Sequence, residues 1–433
     1  MSNCAAAPKK CVILHGFACP RGPSPLPTVG RLTGLMSRFN HVVADISGDE
    51  GLLSQARAGL PSGAARAEAS AVRLRREGVE FKWGDPVVVP SRELLAACAE
   101  RGRSSVEVVR ADPSLLMELQ LGAWFDATWE VRLLRRLATG HVRPPARVNL
   151  RLAADAAFWL GVRARASKAE WTRWTRTSYV ALVYHRLAGE RKPGQDRIDL
   201  APETFARQLR LLRRLGFRHL ELEEFLSLYE DQLEPRLRRA YVVTLDDGLH
   251  DCLSPLLDQP ERGIQLFVST AEVGGRAHWL DDEPLLDWDD VRALARSGIA
   301  IGSHARHHVR LVGLEPGALA SELEGSRLDL DREVASSSPV LAYPHGAHDE
   351  AVRTAAVEAG FRAAFTTNKG RNGRATDPYG LRRVSVHEAD GALAVLWKVL
   401  TGEGLPRLWL RLRHLRGRTV RVRRADRPGG DSV

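Results

Sequence analysis

The chain has few cysteines and few lysines. Its 433 residues include five cysteines. Because five is an odd number and no two cysteines are spaced as C-x-x-C, a disulfide framework is not expected, and a reducing compartment fits. Only seven of the 63 basic residues are lysines. The arginine excess, together with abundant alanine, is typical of GC-rich codon usage. No basic block with interleaved aromatic residues belongs to a recognisable nucleic-acid-binding fold, so a nucleic-acid partner is not expected.

Long apolar runs are also absent. Near the N-terminus the apolar run covers only residues 12–14, whereas a secretory signal needs about 7–15 apolar residues. The longest candidate elsewhere, residues 153–162, contains Asp155 and falls short of the ~20 residues of a membrane span. We therefore expect a cytoplasmic protein without a signal peptide or transmembrane segment.

The overall composition is that of a globular protein. Hydrophobic residues make up 44% and charged residues 27%, which excludes a wholly disordered or fibrous chain. At about 100–200 residues per domain, the length allows two or three domains. The formal net charge of +10 favours phosphate-bearing substrates. None of these features indicates an oligomeric state.

Residues 1–112 alternate short apolar runs with helical patterns. This alternation predicts an α/β region, Rossmann-like in its layering, whose role the sequence does not indicate. The run 92–101 is expected to be a helix that Gly102 ends as a C-cap. The predicted strands are 12–14, 42–44, 87–89 and 106–109, and the predicted helices are 32–39, 64–76 and 92–101.

Residues 113–178 are predicted to be helical and are rich in tryptophan and arginine. Two interpretations stay open for this segment. It is a connecting helical layer whose tryptophans pack between domains, or residues 124–176 form an interfacial helix on an anionic membrane. The tail, residues 405–433, has eight arginines between 407 and 424 and is expected to be solvated, with peripheral membrane contact as the alternative.

From residue 179 onward, short apolar runs alternate with amphipathic helical patterns. Such alternation predicts βα units and a parallel sheet. Seven units predict an irregular (β/α)7 barrel over residues 179–404, with its chemistry at the carboxyl ends of the strands. The predicted strands are 180–184, 219–222, 241–245, 264–268, 299–302, 340–342 and 363–365, and the predicted helices include 202–215, 289–296, 316–333 and 349–359.

Two adjacent carboxylates follow the predicted strand 241–245. Asp246 and Asp247 precede Gly248, which allows a tight turn. Because side chains alternate across a strand, the two carboxylates point in different directions. One can hold a metal while the other faces a bound substrate. A solvated surface turn is the alternative.

Two histidines follow the predicted strand 299–302. His304 and His308 are four residues apart, so a helical turn capped by Ser303 would put both on one face. With a carboxylate from another strand, two imidazoles make a three-ligand divalent-metal site that keeps an open position. His307 would point elsewhere. A pair of partly exposed surface histidines is the alternative.

Two further strand ends carry polar groups. Strand 340–342 is followed by Tyr343, Pro344 and His345, in a turn that could offer backbone N–H groups to substrate. Strand 180–184 is followed by His185, a candidate proton donor. The sequence thus places chemistry-bearing residues at four ends of one predicted barrel.

Taken in order, these motifs resemble those of the NodB-homology polysaccharide deacetylases, carbohydrate esterase family 4. TLDDG at 244–248 is similar to the family's TFDDG, GSHARHH at 302–308 to its GSHTxxH, and AYPHG at 342–346 to the AYPYG of one branch. The early YHR at 184–186 resembles the circularly permuted branch that acts on poly-N-acetylglucosamine. The resemblance covers about half the chain and does not reach residues 1–170.

The resemblance implies a metal-dependent hydrolase that removes an acetyl group from an N-acetylated amino sugar. The sugar would belong to an oligo- or polysaccharide, or to a lipid- or nucleotide-linked glycoconjugate. Asp247, His304 and His308 would bind the metal, with Zn²⁺ expected first and Co²⁺, Ni²⁺ or Fe²⁺ as alternatives. A water molecule on the metal would be the nucleophile, and the oxyanion would rest on the metal and the backbone N–H of His345.

The resemblance also implies the acid and the base. Asp246 would be the general base, and His185 the general acid that protonates the leaving group. Ala342 stands where other branches have an arginine that steadies the catalytic aspartate, and Arg383 is the expected substitute. His387 is the candidate acid if the permuted arrangement is wrong.

Two other functions remain open at this point. Leu245, Ala305 and Ala342 depart from the family motifs, which keeps a catalytically inactive, carbohydrate-binding protein in consideration. Non-heme iron enzymes also use two histidines and one carboxylate. The tandem aspartates argue against the iron enzyme, because an oxygenase does not need the second carboxylate as a base.

Overall fold

The computed structural model describes most of the chain from residue 91 to residue 404 and shorter stretches before it. Within these residues, no helix combines the length and the apolar character needed to cross a membrane. The predicted helix 32–39 and the basic tail lie outside the described residues. The described residues are 11–18, 41–47, 54, 56–62, 65–76, 80–83, 87–88, 91–116, 119–140, 150–188, 199–229, 237, 239–374, 376–387 and 389–404.

The described chain contains helices and strands, with short 3₁₀ turns at Pro113–Leu115, Leu121–Trp124, His250–Cys252, Pro344–Gly346 and Pro378–Gly380. The helices and strands, in chain order, are β1 (Cys11–Ala18), β2 (His41–Ser47), α1 (Ala65–Arg76), β3 (Glu80–Trp83), β4 (Val87–Val88), α2 (Ser91–Ala111), α3 (Trp129–Thr139), α4 (Leu150–Arg165), α5 (Lys168–Arg176), β5 (Ser178–Tyr184), α6 (Pro202–Arg214), β6 (Arg218–His219), α7 (Leu222–Leu226), β7 (Ala240–Leu245), α8 (Leu253–Leu257), β8 (Gln265–Val268), β9 (Arg276–Ala277), β10 (Glu283–Pro284), α9 (Trp288–Arg296), β11 (Ala300–Ser303), α10 (Pro316–Glu333), β12 (Val340–Ala342), α11 (Glu350–Glu358), β13 (Ala363–Phe365), β14 (Asn372–Gly373), β15 (Arg383–Ser385) and α12 (Ala392–Thr401).

The chain divides into two compact units. The first comprises Met1–Ser178 with Leu228–Arg238 and Asn372–Asp377. The second comprises Tyr179–Ser227, Arg239–Arg371 and Pro378–Val433. The second unit begins where the sequence predicts the start of the barrel, and each unit is described by itself below.

The first unit combines a small sheet with helices. Strand β1 pairs antiparallel with β2 and parallel with β3 and β4. The mixed α/β character expected here is confirmed, although the β1–β2 pair is antiparallel where a Rossmann-like layer would be parallel. The predicted strand at 106–109 is wrong, because these residues belong to helix α2. A four-residue apolar run does not distinguish a strand from a buried helical segment.

Glycines let helices α2 and α4 approach each other closely. The sequence predicts that Gly102 ends helix α2, but the residue lies inside it. A Cβ atom at this position would come within 2.1 Å of the Phe158 carbonyl oxygen. Gly161 lies on the other helix, where a Cβ would come within 1.9 Å of the Ala99 carbonyl oxygen. Glycine is needed at both positions because any side chain would push the two backbones apart.

We expect the substitution Gly161→Ala to destabilise the first unit. The added methyl group would meet backbone atoms, which cannot move aside as a flexible side chain can. The free energy of unfolding should therefore fall by about 1–3 kcal/mol. Gly317→Ala in α10 is the control, because no atom beyond its own chain neighbours and helix backbone lies within 4 Å of the place that its added methyl group would take. Urea unfolding followed by tryptophan fluorescence measures both, and equal stability of the two variants would contradict the packing.

Three tryptophans of segment 113–178 pack against one another inside the first unit. The Trp124 and Trp159 rings meet edge to face at 4.7 Å, and the Trp171 ring lies 5.4 Å from that of Trp124. Trp124 and Trp159 are buried together with Val106 and Phe158. The Trp124 and Trp159 indoles are therefore not available to a lipid surface. These contacts lie within the first unit, whereas the packing interpretation placed the tryptophans between domains, and membrane contact through other parts of residues 124–176 stays a prediction.

Parallel strands form an irregular barrel in the second unit, as predicted. The sheet runs β13-β12-β11-β8-β7-β5, and every pairing along this path is parallel. Strand β15 pairs parallel with β5, and a parallel bridge from Phe365 to Leu381 joins β13 to the segment that leads into β15. The ring thus contains seven strands within the described residues.

One predicted barrel strand is wrong. The run 219–222 yields only the two-residue strand β6, which pairs with β7, and Leu222 already begins helix α7. The place in the ring belongs to β15, which the sequence analysis did not identify. Its three residues are Arg383, Val384 and Ser385, so it lacks the apolar run by which the other strands are recognised.

Candidate metal centre

The carboxyl ends of four parallel strands lie at one edge of the barrel. Parallel pairing sets Tyr184 of β5 beside Leu245 of β7, so the residues that follow these two strands are neighbours. The Asp246 N–H donates to the Tyr184 carbonyl oxygen at 3.1 Å and extends this pairing by one residue. The residues that follow β5, β7, β11 and β12, together with the first residue of β15, supply the groups described below.

Asp247, His304 and His308 converge as the sequence predicts. One ligand atom from each residue lies within 4.8 Å of the others, and all three side chains are buried. The Asp247 Oδ1 atom is 3.6 Å from the His304 Nε2 atom and 3.2 Å from the His308 Nε2 atom. Three donor atoms at this separation leave space for one cation between them.

The local backbone is not the helical turn that the four-residue spacing suggested. Residues 304–308 form an irregular loop, in which Ala305 and His308 have φ angles of 61° and 54°. Asp247 has a φ of 73°. Left-handed conformations are costly for residues with a Cβ atom and cluster at functional sites. The loop brings both imidazoles to Asp247 by this strained path.

A backbone hydrogen bond fixes the orientation of His304. Its Nδ1 atom donates to the Ala342 carbonyl oxygen at 2.7 Å, which leaves the Nε2 lone pair facing Asp247. Burial lowers the pKa of His304 to about 4, against the opposing influence of Asp246 and Asp247. At neutral pH the ring is therefore uncharged, which is the state in which imidazole binds metal.

The Asp247 carboxylate is ionised. Burial by itself raises the pKa of Asp247, but the hydrogen bond with His308 and the electrostatic influence of His185 and His304 lower it, and the lowering prevails. One carboxylate and two imidazoles held close together match the ligand types and the open coordination of catalytic zinc sites. The residues present therefore fit a divalent metal.

Asp246 is held apart from this donor set by Arg383. The two guanidinium nitrogens donate to the two carboxylate oxygens at 2.6 and 2.8 Å, and both side chains are buried. Arg383 also donates to the Thr244 hydroxyl at 3.2 Å and the Thr366 carbonyl at 3.0 Å. Burial raises the pKa of Asp246, but Arg383, with smaller help from His304 and His185, outweighs it and lowers the pKa overall.

Of the turn after β12, only His345 can offer a backbone N–H to a ligand. The Tyr343 N–H donates to the Phe365 carbonyl at 3.0 Å, and proline has no N–H, which excludes Pro344. The Tyr343 side chain is fully buried and its hydroxyl donates to the Tyr379 carbonyl at 3.1 Å, so it is part of the core. The Tyr343 backbone N–H, which the sequence predicts as a group offered to substrate, is therefore used by the sheet.

His345 itself lies beside the metal donor set. Its φ angle is 57°, and its ring centroid is 4.8 Å from that of His308. Its side chain is exposed, unlike those of His304 and His308. The turn therefore presents both a backbone amide and an imidazole at the rim of the site.

The two candidate acids differ in their surroundings. His185 is half-buried at the end of β5, and its charge acts on both Asp246 and Asp247. His387 is exposed, and its backbone N–H donates to Asp390 at 2.7 Å. His185 thus follows the strand paired with the one that leads to the two carboxylates.

Trp279 is a site residue that the sequence analysis missed. Its indole stacks on the His308 imidazole with centroids 4.1 Å apart and an interplanar angle of 16°. It lies between β9 and β10, far from the recognised motifs. A lone tryptophan in a loop carries no pattern, so only the spatial contact identifies it.

Comparisons with known proteins identify a match inside the second unit. The family model described as polysaccharide deacetylase matches residues 234–364. YxkH of Bacillus subtilis, a polysaccharide deacetylase by name, is 24% identical over 220 residues, which cover 49% of this chain and 74% of YxkH.

Solved structures of deacetylases also resemble this chain. The deacetylase PplD of Streptococcus pyogenes, in complex with acetate, is 19% identical with a TM-score of 0.46 and covers 52% of this chain and 99% of its own. IcaB from Ammonifex degensii is 20% identical with a TM-score of 0.45 and covers 51% and 97%.

Proposed function

Because the chain carries a polysaccharide deacetylase domain and members of this family are hydrolases acting on carbon–nitrogen bonds, we propose that the barrel removes the acetyl group of an N-acetylated amino sugar. One observation carries the proposal. A three-residue metal donor set lies beside a carboxylate, Asp246, that is not part of it and is fixed by Arg383. This is the pairing that a hydrolytic site needs: a place for a Lewis acid and a separate base.

Asp247, His304 and His308 would hold the divalent metal. Such an ion, when bound, polarises an acetyl carbonyl and lowers the pKa of a water molecule to about 7. The neutral state of His304 and the ionised state of Asp247 favour binding at neutral pH. We propose Zn²⁺ as the ion, with Co²⁺, Ni²⁺ or Fe²⁺ as alternatives.

Asp246 would be the general base. Its lowered pKa keeps the carboxylate ionised at neutral pH, so that it can accept a proton from the attacking water. Arg383 would be its positioning residue, because the paired hydrogen bonds fix the plane of the carboxylate. This assigns to Arg383 the task that an arginine at the position of Ala342 has in the other branches.

His185 would be the general acid. Water adds to the acetyl carbonyl carbon, the bond from that carbon to nitrogen breaks, and the protonated imidazole gives its proton to the departing nitrogen. The products are acetate and a free amine. The backbone N–H of His345 would donate to the oxyanion of the tetrahedral intermediate.

The proposed substrate is a class of compounds and not a single compound. We propose an oligo- or polysaccharide, or a lipid- or nucleotide-linked glycoconjugate, and the formal net charge of +10 favours a phosphate-bearing one. Peripheral membrane contact through the tail and a cytoplasmic location stay predictions.

Two competing functions are less well supported. A non-heme iron oxygenase uses the same ligand types, but it has no use for a carboxylate clamped beside the metal. A binding protein without activity would not need Asp246, Arg383 and His185 to be kept together. Consumption of 2-oxoglutarate under air would favour the oxygenase.

Acetate release tests the proposed function. The protein is incubated with N-acetylglucosamine oligomers and, separately, with an N-acetylated sugar nucleotide, with added zinc or cobalt, and acetate is measured by a coupled enzymatic assay. We expect metal-dependent release. Tight binding of the same oligomers with no acetate from any of them would favour the inactive binding protein.

We expect His185→Gln to lower N-deacetylation by about 10²–10⁴-fold, as the loss of a general acid does. An O-acetyl ester of the same sugar should suffer less, because an alkoxide leaves more readily than an amide nitrogen. The comparison variant is His387→Gln, measured with both substrates. A larger loss in His387→Gln would transfer the acid role to that residue.

A further inference from the structure

Glu322 of helix α10 binds the loop that carries two of the proposed metal ligands. Its Oε2 atom accepts the backbone N–H groups of Arg306 and His307, each at 3.0 Å. Its Oε1 atom lies 2.6 Å from the Nδ1 atom of His307. The Glu322 side chain is buried, whereas the His307 side chain is exposed on its other side. Both backbone groups lie between His304 and His308 in the chain.

The loop needs such support because its backbone is strained. Ala305 and His308 flank the two amides bound by Glu322 and have φ angles of 61° and 54°. Residues in this region cost free energy and persist only where the surroundings hold them. A charged acceptor bound to two consecutive N–H groups supplies hydrogen bonds stronger than those between neutral groups.

Two more residues of the same helix face reach the same loop. Ser326 and Asp329 follow Glu322 at spacings of four and seven residues, which repeat on one side of a helix. The Ser326 hydroxyl lies 2.7 Å from the Ser303 hydroxyl, and Asp329 accepts from Arg306 Nε at 3.1 Å. The inner face of α10 is thus a polar clamp on residues 303–307.

We propose that Glu322 is a positioning residue for the metal centre, which holds the loop in the conformation that aims His304 and His308 at Asp247. This inference rests on the proposed function. It also gives His307 a role: its imidazole does not bind the metal but completes the Glu322 contact. Replacing a group that hydrogen-bonds to a metal-binding segment and orients its ligands commonly lowers the metal affinity by 10–100-fold.

The test compares three variants of the full chain by metal binding. Zinc affinity is measured by competition with a chromophoric chelator, well below the unfolding temperature. We expect Glu322→Ala to bind zinc about 10–100-fold more weakly and Glu322→Gln to lose less, since its amide oxygen can still accept from the backbone. Glu324→Gln is the matched control, because Glu324 is exposed on the same helix, and its zinc affinity should be unchanged.

The outcomes separate this inference from the proposed function. If the wild type binds zinc and both Glu322 variants bind it equally tightly, the positioning role is overturned while the deacetylase proposal stands. If the wild type neither binds zinc nor releases acetate, the proposed function fails and the inference fails with it. Should Glu322→Ala fail to fold, the Glu322→Gln variant still decides, because it keeps the size of the side chain.

A merely structural role would give a different pattern. It would lower the melting temperature of the metal-free protein and leave the zinc affinity of the folded fraction unchanged. At saturating zinc, we expect Glu322→Gln to recover most of the wild-type kcat, because excess metal compensates for weak binding. Persistent loss of kcat at saturation, with unchanged zinc affinity, would overturn the inference.

Discussion

Replacing Asp246 by asparagine is expected to lower the rate of acetate release by about 10²–10⁴-fold, the range found for a lost general base. Asparagine keeps the shape of the side chain and one oxygen that can accept from Arg383, but it cannot take a proton from water. Zinc affinity should stay close to that of the wild type, because Asp246 lies outside the donor set of Asp247, His304 and His308. Acetate release and zinc titration on the same sample measure both effects.

The control for this variant is Asp258→Asn. Asp258 lies at the end of α8 and is exposed, so its loss removes one carboxylate from the surface without touching the barrel edge. Asp258→Asn should melt near the wild-type temperature, whereas Asp246→Asn should melt lower, because it leaves the buried Arg383 guanidinium without the carboxylate that neutralises it. An Asp246→Asn variant that releases acetate at a rate near the wild type would remove Asp246 from the mechanism.

Removing the metal is expected to abolish acetate release. Dialysis against a chelator should reduce activity to background, and one of the divalent ions should restore it, which identifies the preferred metal. The variant Asp247→Asn should not recover at the same metal concentration, since its zinc affinity falls by more than about 100-fold, beyond the loss caused by residues that only support a ligand. Asparagine tolerates the left-handed backbone of this position, so the fold is kept.

Asp246 and Asp247 form a matched pair for this purpose. The same chemical change at adjacent positions should separate two functions: the first variant keeps the metal and loses catalysis, and the second loses the metal. Asp258→Asn again serves as the control and should lose neither. Full activity in the chelated wild type would contradict a metal-dependent mechanism, whichever residues are involved.

The sequence predicts most of the site because parallel strands end at one edge. Once β7 and β11 are recognised as apolar runs, the residues behind them must be neighbours, whatever their separation in the chain. This reasoning brings Asp247 to His304 and His308. It does not give the backbone between the histidines, because left-handed Ala305 and His308 have no sequence signal and the four-residue spacing suggests a helical turn.

Other errors have a common physical cause. The short apolar run at 106–109 predicts a strand, although it is part of the buried face of helix α2. The sequence does not predict strand β15, because this strand has no apolar run and its first residue is a buried arginine. Arg383 is tolerated there because Asp246 neutralises it, and that pairing across the barrel is a tertiary contact. The sequence does not reveal Trp279 and Glu322 for the same reason, because their roles depend on tertiary contacts.

A crystal structure of the zinc-loaded protein, with the ion located by its anomalous scattering, tests the convergence of the three side chains most directly. The account predicts one ion about 2.0–2.2 Å from the His304 and His308 Nε2 atoms and an Asp247 oxygen, with Asp246 still paired to Arg383 and not coordinated. An ion bound elsewhere, or one that takes Asp246 as a ligand in place of either histidine, would contradict it.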